Sequence, residues 1–411
     1  MGLITAQEQP RNRDGRHTRV TSEPARPRIL FYCQSSLGIG HVMRSLRLAD
    51  GLVAQFDVWL ILGGSAIPSL EYPERVDVIQ LPPLVADAEF EHLHAEGLGM
   101  SLEQTLVWRS ERMLQAYSWI RPHVVIIEMY PFGRRRFAQE LTPLIKRARR
   151  SGSRVICSLR DILDPKRKPK HHESRAVAIA NRFFHTILVH GDPTFYRLDE
   201  TFGRVGDVRI PLVYTGYVAP TPVLQNRNPR EPTIIASLGG GRFGHELAQA
   251  LVAAAPLLAA RLPHRIELYT GPFCPAAVAA PWIEASTRLK NLNVTMFLND
   301  FAERLRGADL VISLGGYNTT MDVLAAGARG LMYPCTNNSG MDQLIRLNRL
   351  AARGMVALLS ADDLTPERLV SRIEIALRAT PAPVFLDLQG VQTTVRHIEA
   401  MLAQPLPAGV S

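Results

Sequence analysis

Short apolar runs alternate with helix-like patterns along the chain from Arg28 onward. The first run is followed by glycines and then by Val42, Leu46 and Ala49, whose i, i+4, i+7 spacing places them on one face of a helix. Near-continuous apolar runs are typical of parallel strands that are buried on both faces. The runs predicted as strands are 29–33, 58–62, 124–128, 155–159, 186–190, 233–238, 266–270, 294–298, 310–314, 331–334 and 356–359.

A proline-rich stretch without periodicity interrupts this alternation. Residues 219–232 (APTPVLQNRNPREP) are therefore predicted to be a linker. The βα alternation on either side predicts an α/β protein with two doubly wound, Rossmann-like parallel-sheet domains, over 28–218 and 233–380. Residues 1–27 are polar and basic without the apolar core of a secretory signal, so we expect a disordered leader there. Residues 381–411 are expected to form a C-terminal helix and tail.

Composition narrows the class of protein. The chain has 411 residues, of which 46% are hydrophobic and 21% charged, as in soluble globular proteins. No stretch approaches the roughly 20 apolar residues that a membrane-spanning helix needs. The four cysteines lie far apart without metal-ligand spacing, which argues against a zinc site and fits a reducing cytoplasm. We expect a cytoplasmic protein that binds no metal ion.

The formal net charge of +9 is concentrated in one segment. Residues 134–172 contain thirteen Lys and Arg and three acidic residues, so this segment carries +10 and the rest about −1. A solvated surface is the ordinary explanation. A sharper interpretation is a patch that faces an anionic membrane or acceptor, which would place the protein peripherally at the inner face of the membrane. Nucleic-acid binding is least favoured, because no recognised binding motif is present.

Glycine-rich turns after predicted strands are the candidate binding sites. The first, SSLGIGH, offers Gly38 and Gly40 for close backbone approach and His41 as a group that titrates near neutral pH. A capping histidine is an equally good explanation at this point. The second turn, SLGGGRFG, contains Gly239, Gly240 and Gly241, whose amides can bind a phosphate or simply form a flexible loop.

The third turn, ISLGGYNTTMDVLAAG, gives the strongest signal. Gly315 and Gly316 follow a strand, and a helix is predicted to begin at Tyr317. Amides at that helix N-terminus, with the side chains of Asn318 and Thr319, suit the oxygens of a diphosphate. Asp322 lies one turn farther on, where a carboxylate can accept hydrogen bonds from a ribose diol. Helix capping alone would explain Asn318 or Thr319 but not the whole set.

Weaker candidates complete the set. Asp342 and Gln343 open a later helix and suit sugar hydroxyls, although an acid there also complements a helix dipole. Glu128, Arg160 and Asp161 follow predicted strands in the first domain. They are candidates for holding the acceptor or orienting His41, and each could equally belong to a structural ion pair.

The order of these motifs resembles that of bacterial MurG-like glycosyltransferases of family 28 type, which have the two-Rossmann-domain GT-B fold with a cleft between the domains. The resemblance spans about residues 28–380. The stretches that carry it are GIGHVMRSLRLA (38–49), YPFG (130–133), RDILD (160–164), HGDP (190–193), YTGYV (214–218), SLGGG (237–241), GGYNTTMD (315–322) and DQLIR (342–346).

The resemblance implies roles for the second domain. The backbone near Leu298 would contact the base of a nucleotide, and Asp322 stands where the family usually has a glutamate on the ribose. Residues 316–319 match the GWNS core of the plant glycosyltransferase signature, whose Asn and Ser contact phosphate. Asp342 and Gln343 match the acid–Gln pair that holds the donor sugar. In this chain Leu314 replaces the signature's phosphate-binding histidine.

The resemblance also implies a reaction. His41 would remove the proton from an acceptor hydroxyl in an inverting, metal-independent transfer from a nucleotide-sugar, with UDP as the expected nucleotide and no other cofactor. No DxD motif stands on a suitable loop. GIGHVMR also resembles the first loop of the sugar-nucleotide hydrolase of pseudaminic acid biosynthesis, whose matching histidine activates water. A nucleotide-sugar hydrolase or epimerase is therefore the alternative, and a nucleotide-sugar-binding protein without turnover is a third.

Overall fold

The structure is a computed structural model, and it describes residues 26–35, 38–86, 92–97, 99–163, 170–221, 231–334 and 341–405, with 170 and 171 as backbone only. Most of the expected leader and linker, residues 335–340 before Asp342, and Asp164 of the RDILD stretch lie outside these residues.

The first domain is built on parallel strands. Its strands are β1 (Arg28–Cys33), β2 (Asp57–Leu62), β3 (Val76–Gln80), β4 (Leu84–Ala86), β5 (Leu93–Ala95), β6 (Val124–Glu128), β7 (Arg154–Arg160), β8 (Thr186–His190) and β9 (Leu212–Tyr214), and its helices are α1 (Gly40–Leu52), α2 (Leu102–Ile120), α3 (Ala138–Arg150) and α4 (Lys170–Phe183). Within the described residues the main sheet has the order β3-β2-β1-β6-β7-β8-β9, with every neighbouring pair parallel. β4 and β5 form a separate antiparallel pair.

The second domain repeats this plan. Its strands are β10 (Thr233–Ser237), β11 (Arg265–Tyr269), β12 (Leu292–Thr295), β13 (Leu310–Ser313), β14 (Gly330–Met332) and β15 (Ala357–Leu358), and the helices that follow them are α5 (His245–Arg261), α6 (Ala276–Arg288), α7 (Phe301–Leu305), α8 (Tyr317–Ala325), α9 (Met341–Ala352), α10 (Pro366–Arg378) and α11 (Gly390–Ala403). As far as the structure describes the chain, this sheet is also all-parallel, in the order β12-β11-β10-β13-β14-β15. The predicted α/β fold with two doubly wound sheets is confirmed.

Both sheets are buried on both faces, as the apolar runs predict. Successive residues of a strand point to opposite faces, so Leu30 and Tyr32 contribute to one hydrophobic cluster while Ile29 and Phe31 contribute to another. In the second domain Ile234 and its neighbour Ile235 divide in the same way. This packing fixes the ends of the strands, from which the site is built.

Strand order reverses at equivalent places in the two sheets. β1 lies between β2 and β6, and β10 lies between β11 and β13. Ligands of open α/β sheets bind beyond the carboxyl ends of strands at such switch points. The turns after β1, β6, β10 and β13 carry four of the sequence-predicted stretches, so the topology brings them toward one place.

The C-terminal helix crosses back to the first domain. Ile398 of α11 lies in the hydrophobic cluster that also contains Leu46 and Leu52 of α1. Tyr217 and Asp387 are joined by a backbone hydrogen bond of 2.7 Å at the same crossing. The segment that sequence analysis treats as helix and tail therefore contributes to the packing of the first domain.

The main differences from the predicted elements are at short strands. β12 covers Leu292–Thr295 rather than the predicted 294–298. The apolar residues 296–298 lie in the turn after this strand and line the space between the domains. Sequence analysis also missed β3, β9 and the hairpin pair β4–β5, which are short or mixed in polarity.

Candidate active site

A cavity of about 410 Å³ lies between the two domains, at the carboxyl ends of both sheets. It contains nearly all of the residues singled out from the sequence. Those that line it are Gly38, Gly40, His41, Arg160, Gly239, Gly240, Gly241, Leu298, Gly315, Gly316, Tyr317, Asn318, Thr319, Asp322, Asp342 and Gln343. Glu128 and Asp161, the candidates for orienting His41 or holding the acceptor, do not line the cavity and are fully buried beside it.

The start of α8 forms one wall. Gly315 has φ +70°, and a Cβ there would lie 2.5 Å from Leu347 Cδ1, so the turn from β13 into the helix requires glycine. Gly316 precedes the helix, which begins at Tyr317. The N-terminal amides of a helix lack intrahelical acceptors and carry partial positive charge, so this wall suits an anion.

The turn after β10 forms a second wall. Gly241 has φ +86°, and a Cβ there would lie 2.5 Å from the Thr270 carbonyl oxygen. A Cβ on Gly240 would lie 3.7 Å from Gly38 Cα in the opposite domain. The glycine turns of the two domains therefore approach each other closely across the cavity.

Leu298 lies in the turn that joins β12 to α7, where Phe297 and Phe301 also line the cavity. The next residue, Asn299, reaches the first domain: its amide donates to the Ser69 carbonyl at 2.9 Å and its Oδ1 accepts from the Glu71 N–H at 3.0 Å. This end of the cavity is apolar and is closed by a contact between the domains.

His41 and Glu128 form a hydrogen-bonded pair at the first-domain wall. His41 lies in the first turn of α1, after β1, and Glu128 is the last residue of the neighbouring strand β6. The His41 Nδ1 atom lies 2.6 Å from Glu128 Oε1. An ionised carboxylate can only accept hydrogen bonds, so Nδ1 carries the proton and Nε2 is the basic nitrogen.

The charges around this pair define its protonation. Burial raises the pKa of Glu128, but His41, Arg44 and Arg134 outweigh it and hold that pKa at about 2. Burial lowers the pKa of His41 to about 4, with Glu128 opposing and Arg134 and Arg44 adding to the decrease. The pair is therefore an ionised carboxylate beside a neutral imidazole at pH 7. The His41 side chain is 25% exposed, which leaves it accessible from the cavity.

Two arginines complete the surroundings of Glu128. Arg44 Nη2 donates to Glu128 Oε1, and Arg134 Nε lies 3.7 Å from Glu128 Oε2. Arg134 has φ +56° and Met129 has φ +66°, so the turn after β6 bends sharply at both ends. Non-glycine residues rarely adopt this left-handed conformation, and they concentrate at functional sites.

The acidic residues of the second domain are paired with arginines of the first. Arg47 Nη2 lies 2.9 Å from Asp322 Oδ1, and Arg160 Nη1 lies 3.2 Å from Asp342 Oδ2. Burial raises the pKa of Asp322, with Arg47 opposing. The polar groups that the resemblance assigns to ribose and donor sugar therefore already contact cations across the cleft.

Amide groups at this wall also have partners within the protein. Asn318 Nδ2 donates to the Gly40 carbonyl at 2.8 Å, which joins the two domains. Gln343 Nε2 donates to the Leu314 carbonyl within the second domain. Both side chains line the cavity, and their amides donate to carbonyl groups of the protein itself.

Asp161 belongs to a structural ion pair. Its two carboxylate oxygens accept from Arg346 Nε at 2.9 Å and Nη2 at 2.8 Å, and both side chains are fully buried. Because Arg346 lies on α9, this pair fixes the second domain against the end of β7. An acceptor cannot reach Asp161 without breaking it.

The basic segment 134–172 is not one patch where the structure describes it. Arg134 and Arg160 line the cavity, and Arg154 is buried, with Nη2 donating to the Gln404 carbonyl. Among the side chains of the segment that the structure describes, the cations exposed to solvent are Arg135, Arg136, Lys146, Arg147 and Arg150.

The described residues contain neither a metal-binding cluster nor a membrane-spanning helix. No group of three or more His, Cys, Asp or Glu side chains is placed to hold a metal ion in that part of the chain. No helix among those residues is long and apolar enough to span a membrane.

Sequence reasoning missed Arg44, Arg47 and Arg134 as members of the site. Arg44 and Arg47 follow His41 at intervals of three along α1, a spacing that keeps side chains near one side of a helix. That spacing could have identified both arginines as neighbours of His41 from the sequence. Nothing local marks Arg134, whose position depends on the backbone turn after β6.

Comparison with known proteins agrees with this geometry. Residues 238–383 match the model of the Glycosyltransferase family 28 C-terminal domain. Among curated proteins, the UDP-N-acetylglucosamine--N-acetylmuramyl-(pentapeptide) pyrophosphoryl-undecaprenol N-acetylglucosamine transferase of Rhodopseudomonas palustris (strain BisB18) is 35% identical over 96 residues, 23% of this chain and 25% of that protein. The enzyme of the same name from Haemophilus influenzae (strain PittGG) is 24% identical over 207 residues, 49% of this chain and 56% of that protein. The chain thus spans between a quarter and about half of these relatives.

Solved structures match over nearly the whole chain. Acinetobacter baumannii MurG superposes with a TM-score of 0.54 at 18% identity, covering 91% of this chain and 100% of that one. The calicheamicin glycosyltransferase CalG4 gives 0.55 at 15% identity, with 93% and 100% covered. At such identities the likeness concerns the fold. Together these matches confirm the MurG-like resemblance: the chain has the GT-B fold, and its residues 238–383 match the glycosyltransferase family 28 C-terminal domain.

Proposed function

We propose that this protein is an inverting glycosyltransferase that moves a sugar from a nucleotide-sugar to an acceptor hydroxyl, with His41 as general base. The observation that carries the proposal is the 2.6 Å contact between His41 Nδ1 and the buried Glu128 carboxylate, at the wall of the interdomain cavity. It orients a neutral imidazole with a basic Nε2, which is the form a general base needs at pH 7.

The reaction proceeds in one displacement. The acceptor oxygen attacks the anomeric carbon while its proton passes to His41 Nε2. The bond from that carbon to the diphosphate oxygen breaks, and its electron pair leaves with the nucleoside diphosphate. The imidazolium that forms is stabilised by the Glu128 carboxylate on its other nitrogen. A single displacement of this kind inverts the configuration at the sugar.

The leaving diphosphate meets positive charge in the second domain and across the cleft. The N-terminus of α8 and the amides of Gly239–Gly241 provide donors, and Arg47 and Arg160 line the same cavity. Because the leaving charge is met by amides and guanidiniums, we expect turnover to persist in the presence of a chelator.

The donor binds the second domain in this proposal. UDP is the expected nucleotide, since the Haemophilus influenzae relative is named as a UDP-N-acetylglucosamine-dependent transferase. The apolar turn at Leu298 would take the base, Asp322 the ribose and Asp342 with Gln343 the sugar. Arg47 already contacts Asp322, and Arg160 already contacts Asp342. In this proposal the hydroxyl groups of the donor share the two carboxylates with these arginines or replace the arginines there.

Release of nucleoside diphosphate from a panel of UDP-, dTDP- and GDP-sugars tests the proposal, first without and then with candidate acceptor alcohols. His41→Ala should lower turnover at least ~100-fold and leave UDP affinity nearly intact, because general-base catalysis contributes about 10²–10⁴-fold. His94→Ala is the matched control, since His94 is exposed on β5 away from the cavity. Unchanged turnover in His41→Ala would remove His41 from the mechanism.

The same assay separates the alternative functions. Rapid release without acceptor would mean that water replaces the alcohol and would favour the hydrolase; conversion of the sugar without net release would favour an epimerase. A putative UDP-N-acetylglucosamine 2-epimerase from Listeria monocytogenes shares the fold, with a TM-score of 0.57 at 12% identity and coverage of 94% of this chain and 100% of that one. Nucleotide binding without turnover of any donor would favour a binding protein.

We further propose that the protein works in the cytoplasm and contacts the membrane peripherally. The curated relatives are named for an acceptor linked to undecaprenol, a lipid. The exposed cations of segment 134–172, among them Arg135 and Arg136, suit an anionic membrane surface. Sedimentation with anionic but not zwitterionic vesicles would support this, and no sedimentation with either would count against it.

A further inference from the structure

The Tyr317 side chain crosses the cleft into the first domain. Its hydroxyl donates to the His190 carbonyl at 3.0 Å and accepts from the Val218 N–H at 3.0 Å. Two guanidiniums lie over its ring, with Arg44 Cζ 5.3 Å and Arg346 Cζ 5.2 Å from the ring centroid. Since Tyr317 is also the first residue of α8, one residue joins the proposed phosphate-binding helix end to the opposite domain.

Arg44 continues this set of contacts. Its side chain is only 3% exposed, and its guanidinium both faces the Tyr317 ring and donates to Glu128 Oε1. The same Glu128 oxygen lies 2.6 Å from His41 Nδ1. A continuous series of contacts therefore runs from α8 of the second domain to the proposed base.

We propose that Tyr317 and Arg44 are positioning residues that couple the N-terminus of α8 to the His41–Glu128 pair. The aromatic face holds the guanidinium in the orientation in which it shares the Glu128 oxygen with His41. The roles of His41 and of α8 in this inference rest on the proposed function. The contacts themselves do not.

The coupling has a measurable electrostatic consequence. The charged groups that face His41 are Glu128 at the end of β6, Arg44 on α1 and Arg134 in the turn after β6. Arg44 offsets the attraction that the carboxylate exerts on a proton at His41. When the guanidinium loses its aromatic support, Glu128 holds that proton more strongly, and the titration midpoint of His41 rises.

The experiment follows His41 in the full-length protein by side-chain ¹⁵N NMR over pH, with His41→Ala used to assign its signals. Tyr317→Leu should raise the midpoint by roughly half to one pH unit, and Arg44→Met by more than about one unit. Tyr317→Phe keeps the ring and should leave the midpoint in place, although it removes both hydroxyl contacts.

Arg349→Ala is the matched control for loosening of the domain interface. Arg349 pairs with Glu200 and lies over Tyr196 across the same interface, without contact to Arg44. A shift in Tyr317→Leu but not in Arg349→Ala supports the inference. A shift of equal size in both would assign the effect to domain packing in general and overturn it. An unchanged titration midpoint of His41 in Arg44→Met would also overturn the inference. This second variant keeps the test decisive if Tyr317→Leu does not fold.

This readout is independent of turnover. If His41→Ala remains fully active while the midpoint of His41 responds to Tyr317 and Arg44 as expected, the proposed function fails and the coupling stands. If His41 is essential but its midpoint ignores both substitutions, the coupling alone fails.

Discussion

The two walls of the interdomain cavity are built in different ways. In the second-domain wall, the part that we propose to bind the diphosphate consists of backbone: glycine turns after β10 and β13 and the N-terminus of α8. The first-domain wall consists of side chains, with His41 and four arginines, of which Arg44 and Arg134 share one buried carboxylate. The first kind of wall is defined by local sequence, whereas the second depends on residues far apart in the chain. Substitutions in the first-domain wall should therefore mainly lower turnover, and substitutions in the second-domain wall should mainly weaken nucleotide binding.

The largest effect is expected at Glu128. Glu128→Gln keeps the volume but removes the charge that stabilises the imidazolium, so turnover should fall about 100-fold while UDP affinity stays the same. Since Glu128 also raises the pKa of His41, which is about 4, the acid limb of the pH–rate profile should move to lower pH in the variant. In the wild type, turnover should be lost only as pH falls through that pKa.

Glu140→Gln is the matched control. Glu140 is another fully buried carboxylate of the first domain, paired with Arg109 and accepting from Tyr32 at 2.6 Å, but it does not line the cavity. Its loss should lower the melting temperature and leave turnover of the folded protein near that of the wild type. Equal losses of turnover in both variants would mean that Glu128 acts only on stability.

The same difference between the two walls explains which site residues could be predicted from the sequence. Gly315, Gly316 and their helix were predictable because a strand, a glycine pair and a helix start form one contiguous signal. The pairing of Asp161 with Arg346 was not, since it joins residues 185 positions apart and leaves no local pattern. Glu128 could be identified as a candidate but not distinguished from an ion-pair residue, because its partner Arg44 becomes visible only in the packed sheet and helix.

A smaller effect is expected at Asp322, where the two walls touch through Arg47. Asp322→Ala should weaken UDP binding about tenfold, because a hydrogen bond to a charged group contributes about 1.5–3 kcal/mol and part of it is recovered by water. Binding of dTDP should weaken less, since its sugar lacks the 2′-hydroxyl. Calorimetric titration of both nucleotides checks this. Wild-type affinity for UDP, or equal losses for both ligands, would contradict the ribose assignment.

The smallest effects are expected at adjacent glycines of the second-domain wall. An alanine at position 315 would have to keep the left-handed backbone conformation of Gly315, and its methyl group would lie 2.5 Å from Leu347 Cδ1. Gly315→Ala should therefore lower the melting temperature by a few degrees, and it should weaken UDP binding because the turn is displaced. At Gly316 a Cβ meets nothing within 4 Å, so Gly316→Ala should leave the melting temperature unchanged. It should nevertheless weaken UDP binding a few-fold, because the methyl group occupies the space in front of α8 that the diphosphate needs. If UDP affinity were unaffected in Gly316→Ala, the diphosphate would not lie on this helix, and the backbone wall would be a structural feature rather than a binding one.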